Sequence, residues 1–358
     1  MQTYWSSMAK RATPYVPGEQ MNEKYVLKLN TNENPYPPSQ AVIRAITEAA
    51  NTDLRRYPSP DPEQLRELIG KTYDLTKDQV FIGNGSDEVL AFSFMAFFEP
   101  GETIRFPEIT YSFYPVYAQL FAIPYEPIPM QADLSLDIER FFHSEGGVIF
   151  PNPNAPTSMA IRIEEIRKIL EQNPTRVVIV DEAYVDFSTK SAVSLINEYS
   201  NLLIVQTTSK SRSLAGLRVG YALGNEDLIQ ALIQIKDSIN SYTLDRLAIA
   251  GATASFFDSL TTKDNIKKII QTRTWVSEKM KAYGFQVLPS ETNFIFVTHP
   301  KVSARQLYAQ LKQRQVLVRY FNQPTISQYL RITIGTDKEM EQFFKRLDQV
   351  IKSCHRLG

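Results

Sequence analysis

Cysteine is nearly absent from this 358-residue chain: Cys354 stands alone, so no intramolecular disulfide can form, and three scattered histidines lack the spacing of a zinc site. A reducing compartment and no structural metal are expected. Charge of either sign is in no excess, with 39 Lys and Arg against 39 Asp and Glu, which removes the usual electrostatic reason for binding nucleic acid or an anionic membrane. Long apolar runs are missing too. The densest, VLAFSFMAFF at 89–98, is too short to span a bilayer, and the N-terminal MQTYWSSMAKRATPY has no apolar core of signal-peptide length. The expectation is a soluble, cytoplasmic protein. Internal repeats and low-complexity segments are also lacking.

What is present is a globular composition, 43% hydrophobic and long enough for one large and one small domain with buried cores. From about Leu65 to Gly224, short β-branched runs alternate with helix-period runs, the pattern of a parallel sheet built from crossover units. The expected strands are VFI (80–82), ETIRF (102–106), GVIF (147–150), RVVIVD (176–181), LLIVQTT (202–208) and RVGYAL (218–223). Most are continuously apolar, which predicts a sheet buried on both faces. A helical region follows from Glu226 to Tyr283, with breaks near Asn240 and Thr262. Then FQVL, NFIFV, a helix over 303–313, VLVRY, YLRITIG and a last helix predict a smaller α+β unit. The fold class expected is therefore α/β, a mainly parallel sheet between helices plus a small α+β domain. Its divisions are an N-terminal arm over 1–40, a large domain over 41–260 and a small domain over 261–358. The arm, with NTNENPYPPS at 30–39, is expected to pack on the small domain or on a partner subunit.

In an open parallel sheet, ligands bind at the carboxyl ends of the strands. After VFI comes GNGSDE (83–88), where glycines permit a tight turn and helix N–H groups with Ser86 suit a phosphate, or simply a capped turn. After RVVIV comes DEAY, which sets the carboxylate of Asp181 at a strand end and the phenol of Tyr184 three residues on. After LLIVQTT come Ser209 and Lys210, where partial desolvation at a sheet rim favours a nucleophilic amine. Arg218 opens the next strand with a guanidinium suited to an anion. Alone, GNGSDE and Arg218 read equally well as a capped turn and a surface ion pair, and Asp181 and Lys210 read better as a turn former and a solvated charge. Together they are what one cofactor needs: pyridoxal phosphate takes an amine for its aldehyde, an acid for its ring nitrogen, a phenol for its ring hydroxyl and a cradle for its phosphate.

The order GNGSDE, TYSFY, NPNAPTS, DEAY, TTSKSRSLAGLRVGY and YLRITIG resembles the fold-type-I aminotransferases, and within them the histidinol-phosphate aminotransferase family, over nearly the whole chain. The resemblance implies that Lys210 bonds the aldehyde, Asp181 pairs with the pyridine nitrogen and Tyr184 with the ring hydroxyl. It also implies that Gly85, Ser86, Asp87, Ser209 and Arg218 surround the phosphate and that Tyr111 stacks on the ring. Tyr57, in RRYPSPDPEQLR, matches a tyrosine that reaches the neighbouring subunit's phosphate, which implies a homodimer. One departure stands out: Ala155 replaces the asparagine that usually bonds the ring hydroxyl, so Tyr184 is left as the main ligand unless Asn154 or a water compensates.

For the substrate, the resemblance points to Arg331 in YLRITIG as holder of a carboxylate or phosphate, with Arg319 in VLVRY one segment earlier and Tyr15 in ATPYVPG on the substrate phosphate. It implies a small-molecule amino donor, histidinol phosphate, and an oxo acid, 2-oxoglutarate. Aromatic amino acid aminotransferases and threonine-phosphate decarboxylases share these motifs. A ligand sensor on the same fold usually carries a DNA-binding domain in front, for which the residues before Asn30 leave no room. GNGSDE is not the glycine fingerprint of a nicotinamide enzyme.

Overall fold

The computed structural model of the chain describes residues 4–15, 18–19, 26–188 and 190–355. Residues 1–3, 16–17 and 20–25 of the expected arm, and the side chain of Cys354, lie outside the described residues. Strand β1 (Leu27–Lys28) belongs to the arm. Strands β2 (Val80–Asn84), β3 (Ile104–Pro107), β4 (Tyr125–Ile128), β5 (Val148–Pro151), β6 (Val178–Asp181), β7 (Leu202–Thr207) and β8 (Val219–Gly224) form one sheet. Later in the chain come β9 (Gln286–Val287), β10 (Phe294–Thr298), β11 (Val316–Leu317), β12 (Arg319–Tyr320) and β13 (Tyr329–Thr333).

Apolar runs without alternation make sense once the partners are seen. In β5, β6 and β7 every residue is buried. The two-residue period of a strand sends Phe150, Val178, Val180, Leu202 and Ile204 into one core and Ile149, Ile179, Leu203 and Val205 into another on the opposite face. All six expected strands form, each within two residues of its expected ends. A seventh, β4, is unexpected: its YEPI sequence carries an exposed glutamate and proline, which suits only the sheet edge it occupies beside β3.

The strand order is β2-β8-β7-β6-β5-β3-β4, and β8 pairs antiparallel with both β2 and β7 while the remaining pairs are parallel. The inserted antiparallel strand departs from a purely crossover-built sheet. It also explains why Arg218, at the beginning of its strand, shares an edge with residues at the ends of the others.

Three helices follow, Glu226–Ile239, Arg246–Phe257 and Ser259–Ala282, so the second break falls at Asp258 rather than near Thr262. Asp258 closes one helix with its N–H, bonded to Ala254 O, and opens the next with its carboxylate, which accepts from Thr261 N. No helix among the described residues is long and apolar enough to cross a membrane.

A four-stranded antiparallel sheet, β12-β13-β10-β9, and helices Ala304–Gln313 and Asp337–His355 make the C-terminal part. The arm is stitched into it. Strand β1 pairs parallel with β11, and Leu29 then bridges onward, its N–H to Leu317 O and its C=O to Thr333 N. Leu27 and Leu29 bury their side chains with Phe294, Ile332 and Leu347.

Gly220 fixes how closely β8 approaches the turn after β2: an added Cβ would fall 2.3 Å from Ser86 N and 2.4 Å from Gly85 C. Both are backbone atoms and cannot swing aside. Gly220→Ala is expected to destabilise the protein by about 3 kcal/mol, the upper end of overpacking costs. Urea denaturation checks this, with Gly216→Ala, where an added Cβ meets nothing within 4 Å, as the control that leaves the midpoint unmoved.

Candidate active site

Helix Gly85–Phe97 starts directly at the end of β2, so its first N–H groups, which have no intrahelical partner, open at the carboxyl edge of the sheet. Gly85 has φ +78°, and a side chain there would strike the Arg218 guanidinium, 2.5 Å from Nη2. Arg218 itself is held in the left-handed region, with φ 55° and ψ 52°, a strained placement for a side chain aimed at that turn. The Asp87 carboxylate faces cations and phenols: Oδ2 accepts from Arg218 Nη2 at 2.8 Å and Oδ1 from Tyr111 Oη at 2.6 Å. An anion in this cradle therefore meets Asp87 through its backbone N–H. Ser209 sits alongside, its hydroxyl accepting from Thr207 Oγ1 at 3.0 Å.

Because β2, β8, β7 and β6 are consecutive neighbours, the cradle, Arg218, Lys210 and Asp181 come side by side. They line one cavity of about 300 Å³ with Ser86, Asp87, Tyr111, Ala155, Tyr184 and Ser209, and with Thr31 and Glu33 of the arm. The Lys210 Nζ donates to Thr31 O at 3.2 Å and lies 5.8 Å from the Tyr184 ring centre. Asp181, 4% exposed, accepts from Tyr114 Oη at 2.8 Å and from Ala183 N at 3.2 Å. Burial pushes its pKa up to about 6, opposed by those two donors and reinforced by the charge of Asp87. The next residue, Glu182, is also buried; its carboxylate accepts from Ser191, Ala192 N and Gln206, and burial raises it to about 7.

Burial and then the Asp87 charge raise the Tyr111 phenol far above its ordinary value, so it remains a donor to Asp87. Its ring centre is 5.4 Å from that of Phe113, which in turn is 4.5 Å from Tyr15. Tyr184 Oη accepts from Asn32 Nδ2 at 2.9 Å. Asn154, named as a compensating donor for Ala155, is not brought to this cavity. Its Nδ2 is committed to Ile109 O and Thr157 Oγ1, and it lines a different hollow with Met130 and Ile161.

Arg319 and Arg331 stand directly opposite on β12 and β13. Cross-strand partners share a face, and like charges there repel. Burial, and secondarily Arg319, lower the pKa of Arg331; the nearby phenols of Tyr184, Tyr15 and Tyr111 oppose that. Arg331 Nη2 donates to Asn30 O at 2.9 Å, while its buried Nε has no partner among the described residues. Tyr57 is not at the cavity: it is 79% exposed, its ring stacked 4.7 Å from that of Tyr242. A second cavity of about 280 Å³ near Pro60 offers no free charged group, since Arg66 is paired with Asp61 and Lys236 with Asp237.

The resemblance marked NENPY at 32–36 as an arm closing over the site, without a role for Asn32 or Glu33 individually, and sequence reasoning passed over Tyr114. Tyr114 lies one helical turn beyond Tyr111 at the opening of helix Phe113–Phe121, a spacing that aims both at the sheet edge.

The site and fold together are those of a transaminase, and the comparisons agree. Residues 24–347 match the aminotransferase class I and II family, and the chain belongs to that family. It is 55% identical over 352 residues to histidinol-phosphate aminotransferase 1 of Oceanobacillus iheyensis, covering 98% of this chain and 99% of that one. It is 52% identical over 351 residues to the histidinol-phosphate aminotransferase of Clostridium acetobutylicum, covering 98% and 100%. Among solved structures, the fold is like that of the Sinorhizobium meliloti histidinol-phosphate aminotransferase in complex with pyridoxal-5'-phosphate, with a TM-score of 0.84, 24% identity and 91% of each chain covered.

A buried carboxyl with a raised pKa stabilises the fold below its unfolded pKa, and that contribution is lost as pH rises through the folded value. For Asp181 the window runs from the ordinary carboxylate range to about 6. Asp181→Asn is therefore expected to gain stability over the wild type as pH rises through this window, by about 3 kcal/mol at neutrality. Denaturant unfolding of the ligand-free protein across that range measures it; parallel curves would contradict the assignment.

Proposed function

We propose that the protein is a pyridoxal-phosphate-dependent aminotransferase that takes the amine of histidinol phosphate and passes it to 2-oxoglutarate, a step of histidine biosynthesis. The observation that carries this reading is the gathering of Lys210, Asp181, Tyr184, Arg218 and a helix N-terminus around one cavity. The donor set fits the cofactor on structural grounds. The positive φ of Gly85 suits glycine at the turn, a buried acid lines the same cavity as the lysine and the arginine, and the helix after the turn has no side-chain cap.

When bound, pyridoxal phosphate supplies an electrophilic aldehyde and a ring that draws electrons from the substrate carbon. Ser86, Ser209, Arg218 and the N–H groups from Gly85 to Asp87 bind the phosphate. Asp181 holds a proton at the ring nitrogen, and Tyr184 donates to the ring hydroxyl. Tyr111 covers one face and excludes water. Lys210 is the residue that would hold the aldehyde, and its amine, at the rim of the same cavity, would move a proton at the substrate carbon as base and then acid.

At the other end, Arg319, Arg331 and Tyr15 form the anion pocket. Arg319 and Arg331 are cross-strand partners on β12 and β13, and a guanidinium pairs with a phosphate or a carboxylate alike, so one pocket serves both substrates. The reading extends to an arm over 1–40, a cofactor domain over 41–260 and a small domain over 261–358. It includes a cytoplasmic homodimer in which the exposed Tyr57 reaches the partner's phosphate. The high identity to named histidinol-phosphate aminotransferases supports the donor chosen.

Absorbance spectra of the purified protein test this, before and after addition of L-histidinol phosphate, L-phenylalanine or L-threonine phosphate. A visible cofactor band that histidinol phosphate abolishes, and that Lys210→Ala lacks, is the expected result. Conversion by phenylalanine alone would reassign the donor to an aromatic amino acid; no band with added cofactor would refute the enzyme.

A further inference from the structure

Asn32 is buried, 1% exposed, and every polar group it has is engaged. Its N–H donates to Thr333 Oγ1 at 3.0 Å, Thr333 Oγ1 donates to its Oδ1 at 2.9 Å, and its C=O accepts from Asn293 Nδ2 at 2.9 Å. Thr333 Oγ1 takes the Asn32 N–H on one lone pair and gives its single proton to the amide oxygen. In this arrangement Nδ2 is the atom that faces Tyr184 Oη, 2.9 Å away. Asn32 adopts φ 56°, a conformation asparagine tolerates better than most residues.

Consequences follow for the phenol. With a lone pair of Tyr184 Oη filled by Asn32, its proton has no acceptor among the described residues and turns into the cavity that Tyr184 lines. Ala155, on the same wall, contributes only a methyl group. We propose that Asn32 is a positioning residue: by donating to Tyr184 it fixes the phenol as the donor to the ring hydroxyl, restoring through the arm the polar control that Ala155 cannot give. This inference rests on the function proposed above. Among the described residues, Lys210 lies over the Tyr184 ring and Arg331 of β13 is near its phenol, Glu33, Asp87, Asp181 and Arg218 line the same cavity, and apolar Phe294 is edge-on at 5.2 Å.

A phenol proton offered to the ring oxygen stabilises that oxygen's anionic form, so withdrawing it raises the pH at which the visible cofactor band converts. The experiment titrates that band in the cofactor-loaded wild type, Asn32→Gly, Tyr184→Phe and the double variant. Glycine keeps the positive φ and removes the donor without burying a charge. Asn32→Gly is expected to raise the midpoint by about half to one unit, a threefold to tenfold change in proton affinity. In the Tyr184→Phe background it is expected to add nothing, because it acts through the phenol.

An unmoved midpoint in Asn32→Gly, or a shift that persists without the Tyr184 hydroxyl, overturns the proposal. Should Asn32→Gly fail to fold, Thr333→Val carries the same test, since it frees the Asn32 amide; a rise in midpoint supports the inference and no change removes it. A wild type with no band refutes the proposed function, and this inference with it; a normal band with unshifted variants refutes this inference alone.

Discussion

Strands buried on both faces leave no place for a polar side chain until they end. In β5 to β7 every residue up to Phe150, Val180 and Val205 belongs to one core or the other, so the first groups able to carry chemistry are those where the apolar run stops. Asp181 ends its strand inside this boundary, with little water and two donors to hold it. Its neighbour Glu182 is buried as well and has its own three donors. Two adjacent carboxyls can share so dry an environment only because each is satisfied separately.

The antiparallel β8 adds what a uniformly parallel sheet would not. A strand running backwards brings its beginning to the edge where its neighbours finish, and that is how Arg218 comes to lie against the helix that opens after β2. The close approach of β8 then requires glycine at 220, and the positive φ of the turn it meets favours glycine at 85. Asp87 ties the arrangement together, balancing Arg218 with one oxygen and orienting Tyr111 with the other.

Much of this was legible in the residues, because strands, turns and the groups that follow them are local features. Apolar runs marked six of seven strands, and GNGSDE, DEAY and SKSRSLAGLR marked the cavity wall. What escaped was set by distance along the chain. The bonds from Tyr114 to Asp181 and from Asn32 to Tyr184 join residues 67 and 152 positions apart, and no local pattern encodes them. Asn154 looked like a cofactor ligand by its place in NPNAPTS, yet its Nδ2 was claimed by Ile109 and Thr157. Edge strand β4 hid behind its glutamate and proline, and the helix break at Asp258 behind an otherwise continuous helical pattern.

The stitching of Leu29 between β11 and β13 has a bearing on how the protein is made. Asn32 and Thr333 are 301 residues apart, so the arm leaves the ribosome long before its partners do. At synthesis rates of roughly 5–20 residues per second, it waits about 15–60 s for them. The central sheet can close in the meantime, but the roof over Lys210, which includes Thr31 and Glu33, cannot be laid until the last strand has been translated. The pocket's roof is thus closed late in this chain's biogenesis, and a nascent polypeptide truncated before β13 has the floor of a pocket without its ceiling.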